Sequence, residues 1–294
     1  MKRKNVLHFG TNDSSFQTVM KRYAADYGLG FESCDRGEVR RWRKEVVGKL
    51  DNAAFVFIWN GLQHQAAIVA EYCKSQCVPH CFIEYGMLPQ RTTFFIDPDG
   101  FCGRSRLCKE LSWVTQADME RMLSMRARLQ KEHPIEDNGD ILVPMQIFAD
   151  TQIMYNTHWR TMQGFVQYLK TIFPADRLVI RPHPEGGADY DRLGVRVQNS
   201  KQIGFIEAAS KVHSVVGLTS TTLMESVVLG KPVMALGDCA LRAHCPDDHD
   251  RVAAGALAMT IDRQKGVISP ILERFGMRPL CSQPLVAALR GSAA

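Results

Sequence analysis

A chain of 294 residues that is 45% hydrophobic and 23% charged can fill two cores of ordinary domain size and still carry a wet surface. Its longest clean apolar run, 53–59, falls far short of the ~20 residues a membrane helix needs, and mean hydropathy is −0.17. The net charge of +5 is mild for a nucleic-acid binder, and nine cysteines, an odd count, do not read as a disulfide framework. Met1-Lys2-Arg3-Lys4-Asn5 runs straight into a strand-like segment without the apolar stretch of a secretory signal. The expected setting is the cytoplasm, with reduced thiols.

In chain order, 6–10, 54–59 and 80–83 read as strands and 16–27, 37–50 and 63–76 as helices. This alternation implies crossover connections and a parallel sheet covered by helices. Within the second helix, 36–49 holds six Lys/Arg around Trp42, a pattern suited to anionic lipid head groups or a phosphate-bearing acceptor as well as to an ordinary surface helix. Cys73, Cys77 and Cys81 are spaced C-x3-C-x3-C but lack a second ligand pair, so they read as small core residues. The loose group His244, Cys245 and His249 reads as part of a solvated loop.

A long helix is expected over 112–132, then a linker at 133–140 that carries Pro134, Gly139 and three acidic residues. This places one Rossmann-like domain at 1–138 and a second at 139–294. The alternation restarts with strands at 141–144, 178–181, 214–217 and 232–236 and helices at 158–173, 202–211 and 221–229. The expected ligand site is a cleft between the two α/β halves.

Four segments fall where strands end. In the first, Glu84 follows an apolar strand, and Gly86 and Pro89 turn the chain out of the sheet, so an acid there can exchange protons with a hydroxyl or simply cap a turn. In the second, Asp150 is flanked by Gln146 and Gln152, and reads equally as a helix N-cap. In the third, His183 is fixed between Pro182 and Pro184 with Arg181 two residues earlier, an arrangement that suits an anionic ligand. In the fourth, four hydroxyl residues, Thr219 to Thr222, lead from a strand into a helix that contains Glu225. The N-terminus of that helix suits a phosphate, with Ser220 and Thr221 as added donors. No Gly-x4-Gly-Lys-Ser/Thr is present, which excludes a Walker-type ATPase.

Together and in this order, E-x-G-x-L-P with Asp97-Pro98-Asp99-Gly100, P-x-Q-x3-D, R-P-H-P, and T-S-T-x3-E with G-K-P-V resemble the capsule polysaccharide biosynthesis family of bacterial glycosyltransferases. Its best understood members are retaining β-Kdo transferases that use CMP-β-Kdo. The likeness spans roughly residues 80 to 236, and Tyr85 stands where some members have an acidic residue. It implies a GT-B architecture of two Rossmann-like domains with parallel sheets facing across a cleft, the C-terminal one holding most of the nucleotide. It assigns Asp150 as nucleophile and Glu84 as the acid/base that deprotonates the acceptor. Arg181 and His183 would face the CMP phosphate or sugar carboxylate, Ser220 and Thr221 the phosphate, and Glu225 and Gln146 would help hold the donor.

Two displacements at one ketosidic carbon return the starting configuration, and this chemistry needs a nucleophile and a separate proton-transfer group. Two carboxylates from different domains would be assembled by closure. With Arg181 and the helix donors balancing the leaving phosphate, no cofactor or obligatory cation is expected. The expected partners are a CMP-sugar donor, a glycan or lipid-linked saccharide acceptor and the inner membrane surface, and no nucleic acid. The rival readings are an inverting CMP-sialyltransferase-like enzyme, a sugar-nucleotide epimerase, and a non-catalytic nucleotide-binding subunit of a capsule assembly complex.

Overall fold

Seven consecutive apolar residues at Ala53–Trp59 are all buried, the pattern of a central strand covered on both faces. The computed structural model in which this strand lies describes residues 5–10, 13–34, 44–147, 150–186 and 189–280. These residues form two compact units. The first takes the residues up to Phe101 and those from Met259 onward, and the second takes Cys102–Ala258.

The first unit runs β1 (Asn5–Phe9), α1 (Ser14–Asp26), β2 (Gly30–Cys34), α2 (Lys44–Asp51), β3 (Ala53–Trp59), α3 (His64–Ser75), β4 (His80–Tyr85) and β5 (Thr93–Asp97). The second runs α4 (Gln116–Glu132), β6 (Ile141–Pro144), α5 (Thr151–Asn156), α6 (Met162–Ile172), β7 (Leu178–Arg181), β8 (Arg196–Val197), α7 (Phe205–Ser210), β9 (Ser214–Gly217), α8 (Thr221–Leu229), β10 (Val233–Ala235), α9 (Ala240–Ala243) and α10 (His249–Ala258). The chain then returns to the first unit with β11 (Thr260–Asp262) and α11 (Ser269–Arg274).

The first sheet has the order β11-β5-β4-β3-β1-β2. Its β2, β1, β3 and β4 are parallel, as the alternation implies, but β5 is antiparallel to β4 and β11 antiparallel to β5. The loop from Gly86 to Thr92 is too short for a crossover helix, so β5 folds back as a hairpin. Gly86 makes this possible: a Cβ there would lie 2.9 Å from Thr93 Cβ and 3.1 Å from the Phe94 carbonyl carbon. The turn Asp97-Pro98-Asp99-Gly100 closes on the Asp97 carboxylate, which accepts from the amides of Asp99 (2.8 Å) and Gly100 (3.2 Å). Two parts of the sequence signature are therefore explained by backbone geometry.

The second sheet is wholly parallel, in the order β10-β9-β6-β7-β8. One face of it packs Phe165, Val166 and Leu169 of α6 against Val143, Ile180 and Val216. Each such side chain contributes ~1.5–3 kcal/mol by leaving water.

Helix α4 starts at Gln116 rather than 112, because Thr115 and Asp118 form a capping box. It belongs to the second unit through the end of α8. Arg126 donates to the carbonyls of Val227 (2.8 Å) and Val228 (3.1 Å) and to Asp250 (2.9 Å), and Gln130 donates to Leu229 O (2.9 Å). These bonds satisfy the last carbonyls of α8 where Gly230, at φ +91°, turns the chain away. Lys231 then donates to Glu136 O (2.8 Å), so Gly230-Lys231-Pro232-Val233 serves as scaffold. The chain accordingly changes unit at 101/102 and 258/259, not at the expected 138/139.

The helix expected at 158–173 is α6, which begins only after the N-cap Thr161, and the short α5 ends before it at Asn156. Strands β2, β5, β8 and β11 and helices α5, α9, α10 and α11 were not expected. β2 and β8 are sheet edges with few buried residues, and β11 has three residues. Cys73 and Cys81 are core residues, while Cys77 is exposed. His244 and His249 are anchored rather than solvated, their Nε2 atoms bonded to Leu107 O (2.7 Å) and Leu241 O (2.8 Å). Most of the basic segment, 36–43 with Trp42, lies outside the described residues.

His8, on β1, is fully buried, and burial pushes its pKa down to about 3. Its Nδ1 shares a hydrogen bond with the Ser33 hydroxyl (3.2 Å), while Nε2 faces the apolar interior unbonded. The folded chain thus rejects a proton that the unfolded chain accepts near pH 6.5, so stability is lost as pH falls from there towards 3. Urea unfolding of wild type at pH 7 and pH 5 should differ by ~2 kcal/mol more than in His8→Leu, at 1.36 kcal/mol per pH unit. Equal pH dependence in the two proteins would contradict this assignment.

Candidate functional site

The second unit gathers three of the four strand-end segments at one edge of its sheet. β6 lies between β7 and β9, all parallel, so the chain leaves all three at the same end. Register pairs Pro144 with Arg181, and the Met145 amide donates to Arg181 O (2.9 Å). Gln146 bridges across to the β9 exit: Thr219 N donates to its Oε1 (3.1 Å), and its Nε2 donates to Thr219 Oγ1 (3.2 Å). One side-chain amide thereby fixes two of the exits against each other.

Asp150 stands at the N-cap of α5, and its Oδ1 accepts from Gln152 N (2.9 Å). Its other carboxylate oxygen makes no hydrogen bond with a described residue. Asn156, at the far end of α5, holds the helix down: its Oδ1 accepts from Gly103 N (3.3 Å), its Nδ2 donates to Gln152 O (3.1 Å), and its carbonyl accepts from Asp238 N (2.8 Å). The Cys102 thiol is pushed well above the usual range by burial, with Cys239 and then the Asp150 charge adding to the shift.

His183 leaves β7 half-buried, and Glu185 N donates to its Nδ1 (3.2 Å). That bond assigns the proton of the neutral ring to Nε2, which makes the ring a donor. Arg181 behaves differently from the expectation. It is 7% exposed, and its guanidinium donates to Gln198 Oε1 (2.8 Å) and to the carbonyls of Ile203 (2.6 Å) and Ser200 (3.3 Å). Burial lowers its pKa. The side chain braces the 198–203 segment, so the charge read as a ligand contact serves mainly to hold that loop.

The four hydroxyls before α8 also divide. Thr219 is bound to Gln146, and Ser220 caps the helix by accepting from Thr222 N (3.3 Å) and Thr222 Oγ1 (2.7 Å). The Thr221 hydroxyl alone has no bonded partner among the described residues. Gly217 admits α8 close to β9, since a Cβ there would meet Leu223 at 3.0 Å. Glu225 is half-buried one turn into α8. The edge therefore offers the α8 N-terminus, Thr221 and the His183 ring to an anion, with one carboxylate, Asp150, on the neighbouring exit.

In the first unit, Glu84 is half-buried near the end of β4, opposite Phe95. Asn60 Nδ2 donates to its Oε2 (2.6 Å), and Tyr85 N to its Oε1 (3.1 Å). Arg263 lies over the rings of Tyr85 (5.4 Å) and Phe94 (4.9 Å) and pairs with Asp13, the N-cap of α1. Asn60, Asn156 and Cys102 were not singled out from sequence: each occurs as a lone polar or thiol residue outside any spaced motif. The one signal for Asn60 was its place directly after an apolar strand and before a glycine.

No family model matches the chain. Among curated proteins, the protein FixF of Sinorhizobium fredii is 26% identical over 212 residues, 66% of this chain; the match spans 51% of FixF, about half its length. Among solved structures, the Thermosulfurimonas dismutans KpsC β-Kdo 2,7-transferase superposes with a TM-score of 0.60 at 17% identity, covering 88% of this chain and 92% of that one. The β-Kdo 2,4-transferase of the same KpsC gives 0.60 at 13%, covering 87% and 91%. Two Rossmann-like α/β units in one chain, with this likeness over most of its length, make this a protein of the GT-B fold.

Proposed function

We propose that this chain is a retaining glycosyltransferase that moves a Kdo-type sugar from a CMP-sugar to a glycan or glycolipid acceptor in bacterial capsule or lipopolysaccharide synthesis. The observation that carries the reading is the shared edge of the second sheet, where Asp150, the His183 ring and the α8 N-terminus leave adjacent parallel strands. The likeness in fold to KpsC supports it, as does the order of the sequence motifs.

In this reading a carboxylate oxygen of Asp150 attacks the ketosidic carbon. The bond to the phosphate oxygen breaks, and CMP departs with the electron pair. The amides at the start of α8, Thr221 and His183 Nε2–H stabilise the leaving phosphate, and Glu225 contacts the nucleotide. Arg181 and Ser220 act as supports: one shapes the 198–203 segment, the other starts the helix. The acceptor oxygen then attacks the same carbon, its proton passes to Glu84, and the Asp150 carboxylate is released. CMP is a good leaving group, so only the second step depends on Glu84. No metal or cofactor enters this scheme. Contact with an anionic membrane surface through 36–49 belongs to the same proposal.

An inverting reading, with Glu84 as base and Asp150 without a covalent role, draws support from the use of Asp150 as an N-cap. The two readings predict different adducts. Intact-protein mass spectrometry of Glu84→Gln mixed with CMP-Kdo should show the mass of one added sugar, mapped by peptide digestion to Asp150, and Asp150→Ala should show none. An adduct on another residue would overturn the assignment.

Calorimetry with CMP, UDP and GDP should show a clear preference for CMP. Thr221→Val and His183→Ala should each weaken CMP binding about tenfold, ~1–2 kcal/mol for a hydrogen bond to a charged group. A preference for UDP would remove the CMP-sugar reading.

A further inference from the structure

We infer that Asn60 is a positioning residue for the Glu84 carboxylate, an inference that rests on the reading of Glu84 as the acceptor's base. Asn60 follows the last residue of β3 and is 6% exposed. Its backbone has φ +62°, in the left-handed region that costs most residues but that asparagine tolerates. Three bonds hold it there. Its amide donates to Ile83 O (3.0 Å), its Oδ1 accepts from Leu62 N (3.1 Å), and its Nδ2 donates to Glu84 Oε2 at 2.6 Å.

The bond from Leu62 decides the orientation of the amide. With Oδ1 occupied as an acceptor, the NH₂ group must point the other way, towards Glu84. The backbone bond from Asn60 to Ile83 fixes the spacing, because Ile83 is the residue before Glu84. The donor and the carboxylate are thus set by adjacent parallel strands, β3 and β4, rather than by a loose loop. Strain at a buried non-glycine residue whose backbone N–H, Oδ1 and Nδ2 are all bonded points to a position held for a purpose.

The consequence is geometric. A base must present one carboxylate oxygen along a defined line to the acceptor hydroxyl. Pinning Oε2 by a short charge-assisted bond removes rotation about the last side-chain torsion and fixes the direction the carboxylate presents to the acceptor. Oε1 is in turn held by the Tyr85 amide. Among natural residues few combine these properties: aspartate tolerates the left-handed backbone and accepts from Leu62 N but has no donor, and glutamine is one methylene too long.

The test uses the full chain with CMP-Kdo as donor and a fluorophore-tagged Kdo glycoside as acceptor. Asn60→Asp keeps the backbone preference and the Leu62 bond while replacing the donor by a carboxylate that repels Glu84. It should lower kcat for transfer by 10- to 100-fold, leave KM for the acceptor within twofold, and leave sugar loading on Asp150 intact. The double variant Asn60→Asp/Glu84→Gln rebuilds the bond with amide and carboxylate exchanged. It should recover the melting temperature lost in Asn60→Asp, while the fall in kcat at unchanged acceptor KM in the single variant is the reading a purely structural role would not give.

A transfer rate within twofold of wild type in Asn60→Asp, with Glu84→Gln inactive, overturns the positioning role alone. Wild-type transfer by Glu84→Gln overturns the base assignment beneath it. A crystal structure of Asn60→Asp gives a reading independent of substrate: the Glu84 carboxylate should leave its observed rotamer, and an unmoved carboxylate contradicts the inference.

Discussion

Parallel pairing of β9, β6 and β7 is the constraint on which the candidate site depends. Because neighbouring strands run the same way, each must end at the same edge, and the residues that follow each strand are neighbours regardless of their distance in sequence. The described residues among 144–147, 181–186 and 217–222 are brought together this way, with Asp150 further along the first of these exits. The Gln146–Thr219 pair then fixes the spacing between two of the exits to within hydrogen-bond tolerance. Other bonds serve the same edge from further out: Asn156 holds the helix that Asp150 caps, and Arg181 holds the segment beside His183.

The same constraint in the first unit sets Asn60 beside Glu84, since β3 and β4 are parallel neighbours whose ends coincide. Here the sheet changes direction immediately afterwards. The Gly86 hairpin sends β5 back antiparallel, and the chain's late return adds β11 outside it. Arg263, from the segment after β11, packs over Tyr85 and pairs with Asp13. A stretch that is remote in sequence thus supports the strand that carries the carboxylate.

The parallel α/β character was legible because long apolar strands such as Ala53–Trp59 alternate with amphipathic helices, a pattern set by burial on both faces. The edges were not legible. Gly30–Cys34 and Arg196–Val197 bury little, so no hydrophobic period marks them. The unit boundary was misplaced because breakers and acidic residues at 133–140 mark a loop, whereas the unit to which α4 belongs is decided by Arg126 and Gln130 reaching the carbonyl end of α8. Within the site, Glu84, Asp150 and His183 stood out by following strands. What sequence could not supply was the employment of each group: that Arg181 spends its donors on Gln198 and two carbonyls, that Ser220 is a cap, and that a lone asparagine reaches Glu84.

The central claim is that transfer proceeds through two displacements, with Asp150 as the intermediate's partner. The most direct measurement is the anomeric configuration of the first-formed product from CMP-β-Kdo, read by NMR from the carbon–proton couplings of the newly linked sugar. The account predicts a β-linked product, with the donor's configuration retained. An α-linked product would mean a single displacement, and would contradict the assignment of Asp150 as nucleophile.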